Sequence, residues 1–185
     1  MATGIMGEKQ LKFLEFVPLI LYITFVRAVG GDAAALPWKI SFVTGGIASV
    51  VVLTVLMRNK GFILNRIVLG VNLFLISGGI AVALRLDPLL KLYWRFNPAP
   101  MFIWIFGVGL AATFLSPSGF TGESLSDRGT VRRHSALLTA ATAIALGISL
   151  AFRGKAIYAD ILPFIGLFIV NDRLRAKPSR SPDQG

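Results

Sequence analysis

The 185 residues are 55% hydrophobic and 15% charged. This excludes an ordinary water-soluble domain, in which about 25% of residues are charged. The net charge of +10 would suit nucleic-acid binding in a soluble protein, but here Lys and Arg lie mainly between apolar runs, where they set membrane topology. We therefore expect no nucleic-acid partner. The chain has no Cys and one histidine, His134, which argues against clustered-ligand metal sites, so neither metal nor cofactor is predicted.

Six apolar segments follow one another along the chain. The clearest is 67–84, eighteen uncharged residues whose helix would cover about 27 Å, close to the roughly 30 Å apolar thickness of a bilayer. The others are 11–29, 40–57, 101–115, 135–152 and 156–170. The sequence thus predicts an all-α polytopic membrane protein, a bundle of about six transmembrane helices. Residues 1–170 form its single domain, and 171–185 are predicted to be a polar, disordered tail.

The first segment contains two residues that interrupt its apolar character, Glu15 and Pro18. A signal-peptide core over 16–26 is the alternative, but these interruptions favour a retained first helix over 11–29. Glu15 is expected to pair with Lys12 one turn back. A carboxylate inside an apolar run is also a functional candidate, because ionising it in hydrocarbon is costly.

The second and third segments carry small and polar residues at depth. Gly45 lies on a small-residue face of 40–57, and Gly79 is followed four residues later by Ala83, so both glycines are predicted to let helices approach closely. Asn72 is the most polar residue of its segment. We expect it to form an interhelical hydrogen bond, with a place along a transport pathway as the alternative.

Residues 87–98 differ from their neighbours because basic and aromatic residues alternate there, which suits the membrane interface. The fourth apolar segment, 101–115, is short. After it, 116–134 is predicted to be a flexible polar loop that holds a solvated His134.

The fifth segment, 135–152, has small residues every four positions, including Ala143 and Gly147. Such a stripe lets helices pack backbone to backbone, so we expect this segment and 67–84 to be central in the bundle. In the sixth segment Asp160 precedes Pro163 by three residues. We interpret Asp160 as a helix N-cap with Pro163 in the first turn, and as a second candidate intramembrane carboxylate.

The basic residues are unevenly divided between the two sides of a six-span bundle. The side that holds both termini would carry 12 Lys and Arg and the other side 7. The positive-inside rule then places both termini in the cytoplasm. The basic loop and tail set this topology, or else dock on anionic lipids or on a protein.

No serine-hydrolase, zinc-protease or nucleotide-binding motif is present, so the chain is predicted not to be an enzyme. We expect it to act in the bilayer through contacts with lipids or other membrane proteins, and it could form oligomers. The alternative is a small transporter or channel subunit that uses Glu15, Asn72 and Asp160. The two candidate functions differ in whether the side chains of Glu15, Asn72 and Asp160 share one water-accessible cavity.

Residues 12–22, Lys-Phe-Leu-Glu-Phe-Val-Pro-Leu-Ile-Leu-Tyr, resemble the start of the intracellular septation protein A family. The length, the several spans and the basic tail are also similar. The span that ends at Leu115-Ser116-Pro117 lacks the Arg of the family's Arg-Pro-Leu, and the Asn-Phe-Lys segment of its last helix is absent. The resemblance implies a bacterial inner-membrane protein that maintains the envelope or septum through protein contacts.

Overall fold

A computed structural model of the chain describes residues 7–28, 35–59, 62–122 and 128–175, which form helices joined by turns, with no strand among them. In chain order the helices are α1 (Glu8–Leu14), α2 (Val17–Ala28), α3 (Ala35–Arg58), α4 (Arg66–Ala83), α5 (Asp87–Phe96), α6 (Ala99–Leu115), α7 (Arg128–Ala151) and α8 (Leu162–Arg175). A π-helical turn, Ile157–Ile161, leads into α8. The predicted all-α class is confirmed for the described part of the chain.

Within the described residues, three helices are long and apolar enough to cross a membrane: Trp38–Arg58 within α3, Arg66–Ala83 and Arg128–Ala151. The pair formed by α5 and α6 would add a fourth, although the two helices meet at 99°. Three to four candidate spans of this length and composition are those of an integral membrane protein.

The helix α4 lies at the centre and packs against α2, α3, α5 and α6. Its glycines make this possible, since a Cβ on Gly70 would lie 2.5 Å from the Cα of Ile105 in α6. By contrast, α7 packs mainly on α6, α8 and the π-helical turn. The expected central position is therefore seen for 67–84, and the prediction is wrong for 135–152.

One end of the bundle holds a cluster of aromatic rings. Phe42 is fully buried, with its centroid 4.9 Å from that of Trp38 and 5.1 Å from those of Tyr22 and Phe74. Edge-on and tilted ring contacts of this kind stabilise a core beyond the area they bury. Tyr93 attaches α5 to the cluster, because its ring centroid lies 5.4 Å from that of Phe74. Its hydroxyl also accepts a 2.9 Å hydrogen bond from Trp104 Nε1, which ties α5 to α6.

At the other end, residues 116–122 fold back after α6, where the sequence predicts a flexible loop over 116–134; residues 123–127 of that stretch lie outside the described part of the chain. Phe120 is buried, and its backbone N–H donates to Ser135 Oγ at 2.7 Å. Gly119 has φ 57°, a conformation that side chains other than glycine rarely adopt. The helix α7 begins at Arg128, so His134 lies inside a helix and is 9% exposed.

The solvated position predicted for His134 is therefore wrong. The apolar run alone places the start of the helix too late, because α7 has a buried face that extends into its polar first turns through Val131 and Ser135. Hydropathy averages the whole circumference of a helix and does not detect such a face.

The two ends of the chain also differ from expectation. The predicted first helix is interrupted after Leu14, and Glu15 and Phe16 form a turn before α2. At the far end, α8 continues to Arg175, past the predicted start of the polar tail at residue 171, and Asn171 is buried. Residues 176–185 lie outside the described part of the chain.

Candidate functional site

Glu15 lies in the turn between α1 and α2 and is 3% exposed. Its Oε1 accepts a 3.0 Å hydrogen bond from the backbone N–H of Asn65, the residue that caps α4. The predicted pairing with Lys12 is wrong: Lys12 Nζ lies 2.7 Å from Glu8 Oε1. Lys12 follows Glu8 by four residues, the favourable order for a helical ion pair.

Asn72 is a residue of α4 that faces α3 and the turn that holds Glu15, and it is 2% exposed. Its Oδ1 accepts a 2.9 Å hydrogen bond from Ser49 Oγ, which joins α4 to α3. Its Nδ2 donates to the carbonyl oxygen of Val68 at 3.0 Å and to that of Glu15 at 3.5 Å. The structure thus brings two of the three predicted polar residues together.

We call Glu15, Ser49, Asn65 and Asn72 the buried polar cluster, in which Glu15, Ser49 and Asn72 are buried and Asn65 is half-buried. Asn65 completes it, because its side chain accepts a 3.0 Å hydrogen bond from the N–H of Ile67. The cluster gives partners to backbone groups exposed where the first helix breaks and where α4 begins. It fixes the positions of α1, α3 and α4 relative to one another, and each of its members is hydrogen-bonded.

Asp160 is not part of this cluster. It lies in the π-helical turn and is not an N-cap, because the helical backbone continues from Ile157 through that turn into α8. The predicted capping role is therefore wrong. Asp160 lines a cavity of about 150 Å³ whose walls include Leu19, Tyr22, Phe74, Asn97, Met101 and Phe164. Neither Glu15 nor Asn72 lines this cavity.

The predicted packing glycines of α3 and α4 lie where helices meet. A Cβ on Gly45 would lie 3.3 Å from the Cβ of Tyr22. One on Gly79 would lie 3.0 Å from the carbonyl oxygen of Phe42 and 3.6 Å from the Cα of Gly46. These distances leave no room for a larger side chain without movement of the neighbouring backbone.

The same role predicted for Ala143 and Gly147 is wrong within this chain. Ala143 is exposed, and a Cβ on Gly147 would have nothing within 4 Å. The face of α7 that packs inward is a neighbouring one, which carries Leu138, Thr142 and Ala145. The sequence shows a stripe of small residues but does not show which side of the helix has a partner.

Four polar residues at one end were not singled out from the sequence: Asn65, Arg66, Ser116 and Ser118. Arg66 Nη2 donates to Ser116 Oγ at 2.6 Å and to Ser118 Oγ at 2.8 Å, which ties the start of α4 to the end of α6. Asn65 could have been found, because Asn directly before an apolar run is a helix-start signal. No sequence signal links Arg66 to residues fifty positions later.

The described part of the chain contains no group of three or more His, Asp or Glu side chains placed to hold a metal ion. No protein-family model, curated protein or solved structure matches the chain. Function is therefore inferred from the arrangement of the residues described above.

Proposed function

We propose that this chain is a non-catalytic protein of the bacterial inner membrane that acts through contacts with other membrane proteins or with lipids. In this proposal six segments cross the bilayer: α1 with α2, then α3, α4, α6 and α7, and lastly the π-helical turn with α8. Successive segments run between the same two ends of the bundle. The amphipathic α5 lies along the membrane surface, which agrees with its 99° angle to α6.

The orientation of the chain in the membrane is assigned from the distribution of its basic residues. The end that holds the start of α1, the 59–65 connection, the start of α7 and the end of α8 carries most of the basic residues. In this proposal it faces the cytoplasm, together with both termini. Envelope or septum maintenance is the role we assign, and it rests on the resemblance of residues 12–22 to the septation protein family.

The observation that carries the proposal is that Glu15 and Asn72 of the buried polar cluster are shielded from water. A carboxylate or amide that binds a transported ion needs a route to water, whereas Glu15 and Asn72 are almost completely buried and hydrogen-bonded within the protein. Asp160 lies in a different cavity. Meanwhile large apolar side chains such as Ile47, Phe114 and Ile144 are exposed on the outside, where lipids or partner helices can cover them.

Affinity purification from native membranes in a mild detergent tests this function. We expect a membrane protein to co-purify at a fixed stoichiometry and to remain bound when the chain carries Asp160→Asn, since a contact surface does not depend on ionisation of that residue. Recovery of the chain with lipids but without any stoichiometric protein would contradict the protein-contact role.

One observation favours the second candidate, a transporter or channel subunit. Asp160 faces a cavity and lies in a π-helical turn, a backbone form found frequently at functional sites. A carboxylate that carries protons or cations must change its charge or ligands, so an amide cannot replace it. A folded Asp160→Asn chain that fails to complement a deletion, while Asp160→Glu succeeds, would favour transport over the contact role.

A further inference from the structure

An open groove of about 520 Å³ runs between the last turn of α6 and the first turn of α7. Its lining includes the apolar Phe114, Leu115 and Val131, the hydroxyl of Ser116 and two arginines, Arg128 and Arg132. The arginines are one helical turn apart and therefore project from the same side of α7. We call this surface the α6–α7 groove.

The described residues that line the groove carry positive charge and no negative charge. Both arginines are exposed, and neither forms an ion pair with a carboxylate in the described part of the chain. The N-terminus of α7 adds the positive end of a 24-residue helix. A third cation lies next to the groove, because Arg66 Nη2 donates to Ser116 Oγ at 2.6 Å. An anionic group in the groove would meet all of these charges.

One wall of the same groove is apolar and uncovered. Phe114 is 70% exposed and Leu115 is 84% exposed, and both belong to the last turn of a helix whose remaining length is apolar. A free inorganic anion would gain nothing from this wall. An amphipathic anion would place its charge at the arginines and its hydrocarbon along α6.

We propose that the α6–α7 groove binds a phospholipid with an anionic headgroup. The phosphate lies between Arg128 and Arg132, and an acyl chain runs along Phe114 and Leu115. This inference rests on the proposed function, which places the groove at the cytoplasmic leaflet. Anionic lipids give that leaflet a negative surface potential that attracts basic segments.

The test uses the purified full chain in a neutral detergent, titrated with dioctanoyl phosphatidylglycerol and followed by native mass spectrometry. Dioctanoyl phosphatidylcholine is the matched neutral lipid. We expect phosphatidylglycerol to bind about tenfold more tightly, and Arg128→Gln with Arg132→Gln to remove this preference. Replacing both arginines by Lys should retain most of it, because the charge is kept.

The chain offers a matched control in Lys91 and Arg95, which are also four residues apart and exposed, but lie on α5 at the other end of the bundle. Changing both to Gln removes the same net charge, and we expect the preference for phosphatidylglycerol to stay within about twofold of the unmodified chain. An equal loss in this control would overturn the proposal, because net charge and not the groove would then set binding.

Two further results would overturn it: equal affinity for the two lipids, or displacement of phosphatidylglycerol by millimolar inorganic phosphate, which would make the groove a free-anion site. If the double Gln variant does not give a monodisperse helical protein, Arg132→Gln alone is measured, with an expected loss of about threefold. Loss of lipid preference leaves the co-purification of a protein partner unaffected, so the two proposals can fail separately.

Discussion

The contact between α3 and α4 and the outer face of α7 are both rich in small residues, yet they lie in different settings. Gly46 and Gly79 lie opposite each other, and a Cβ on Gly79 would lie 3.6 Å from the Cα of Gly46. On α7, Ala143 is exposed and Gly147 has open space beside it. A small residue allows close approach, but a complementary surface on another helix is also needed. On α4 that surface is supplied by Phe42 and Gly46 of α3.

The largest effect is expected where the backbones are closest. Gly79→Leu places a side chain against the carbonyl oxygen of Phe42, which must move and take α3 with it. Overpacking of this kind should lower the free energy of unfolding by about 3 kcal/mol, as measured by SDS titration in mixed micelles. A loss below about 1 kcal/mol would mean that the α3–α4 contact can adjust freely.

The buried polar cluster should show a smaller effect. Asn72→Ala removes the acceptor of the Ser49 hydroxyl, which is fully buried, and should lower the free energy of unfolding by about 2 kcal/mol. Thr54→Ala is the matched control, because that exposed hydroxyl bonds only to the carbonyl oxygen of Val50 in its own helix. If both variants lose the same free energy of unfolding, the hydrogen bond between the helices stabilises the protein no more than one within a single helix does.

Ser49→Ala tests the same hydrogen bond from its α3 side. The cavity is small and one hydrogen bond between helices is lost, so the expected cost is about 0.6 kcal/mol. Combining it with Asn72→Ala gives a double-mutant cycle. The double variant should be clearly more stable than the sum of the two single losses predicts, since the hydroxyl left without a partner in Asn72→Ala is gone. Simple additivity would show that the two side chains do not interact.

The smallest effect is expected on the outer face of α7. Gly147→Leu meets no neighbouring atom and gains helix propensity, so the free energy of unfolding of the isolated chain should change by no more than about 0.5 kcal/mol. The same replacement is predicted to be far more disruptive at Gly79. Equal losses at the two positions would remove the distinction between these faces.

The comparison of these two faces also shows which structural features can be predicted from hydropathy and local sequence. The positions of α3 and α4, and the apolar part of α7, follow from the length of their apolar runs, because lipid requires a continuous helix there. The cap at Asn65 follows from local chemistry. Asn72 follows as well, since a buried amide needs a partner, although nothing in the sequence identifies that partner as Ser49.

Other features depend on tertiary contacts and were predicted wrongly. At the break in the first helix, the carboxylate of Glu15 accepts a hydrogen bond from the N–H of Asn65, fifty residues away, and nothing in the sequence indicates that partner. His134 is buried because α7 starts before its apolar run and packs where Phe120 folds back. For Ala143 and Gly147, composition identified a possible contact face, but the neighbouring face with Leu138 and Ala145 is the one that packs.

The most direct test of the account concerns the number and direction of the crossings. The chain has no Cys, so a single introduced cysteine is the only thiol that a reagent can label. Gly7 precedes α1 and has no atom close to its Cβ position. Ala156 is exposed and lies directly before the π-helical turn, where replacement avoids the strain expected at Gly154 with φ 88°. The measurement is labelling of Gly7→Cys and Ala156→Cys by a membrane-impermeant maleimide in intact cells. Five crossings between these positions predict that Ala156→Cys reacts and that Gly7→Cys reacts only after lysis. The reverse pattern would contradict the orientation, and equal labelling of the two would contradict the six-span arrangement.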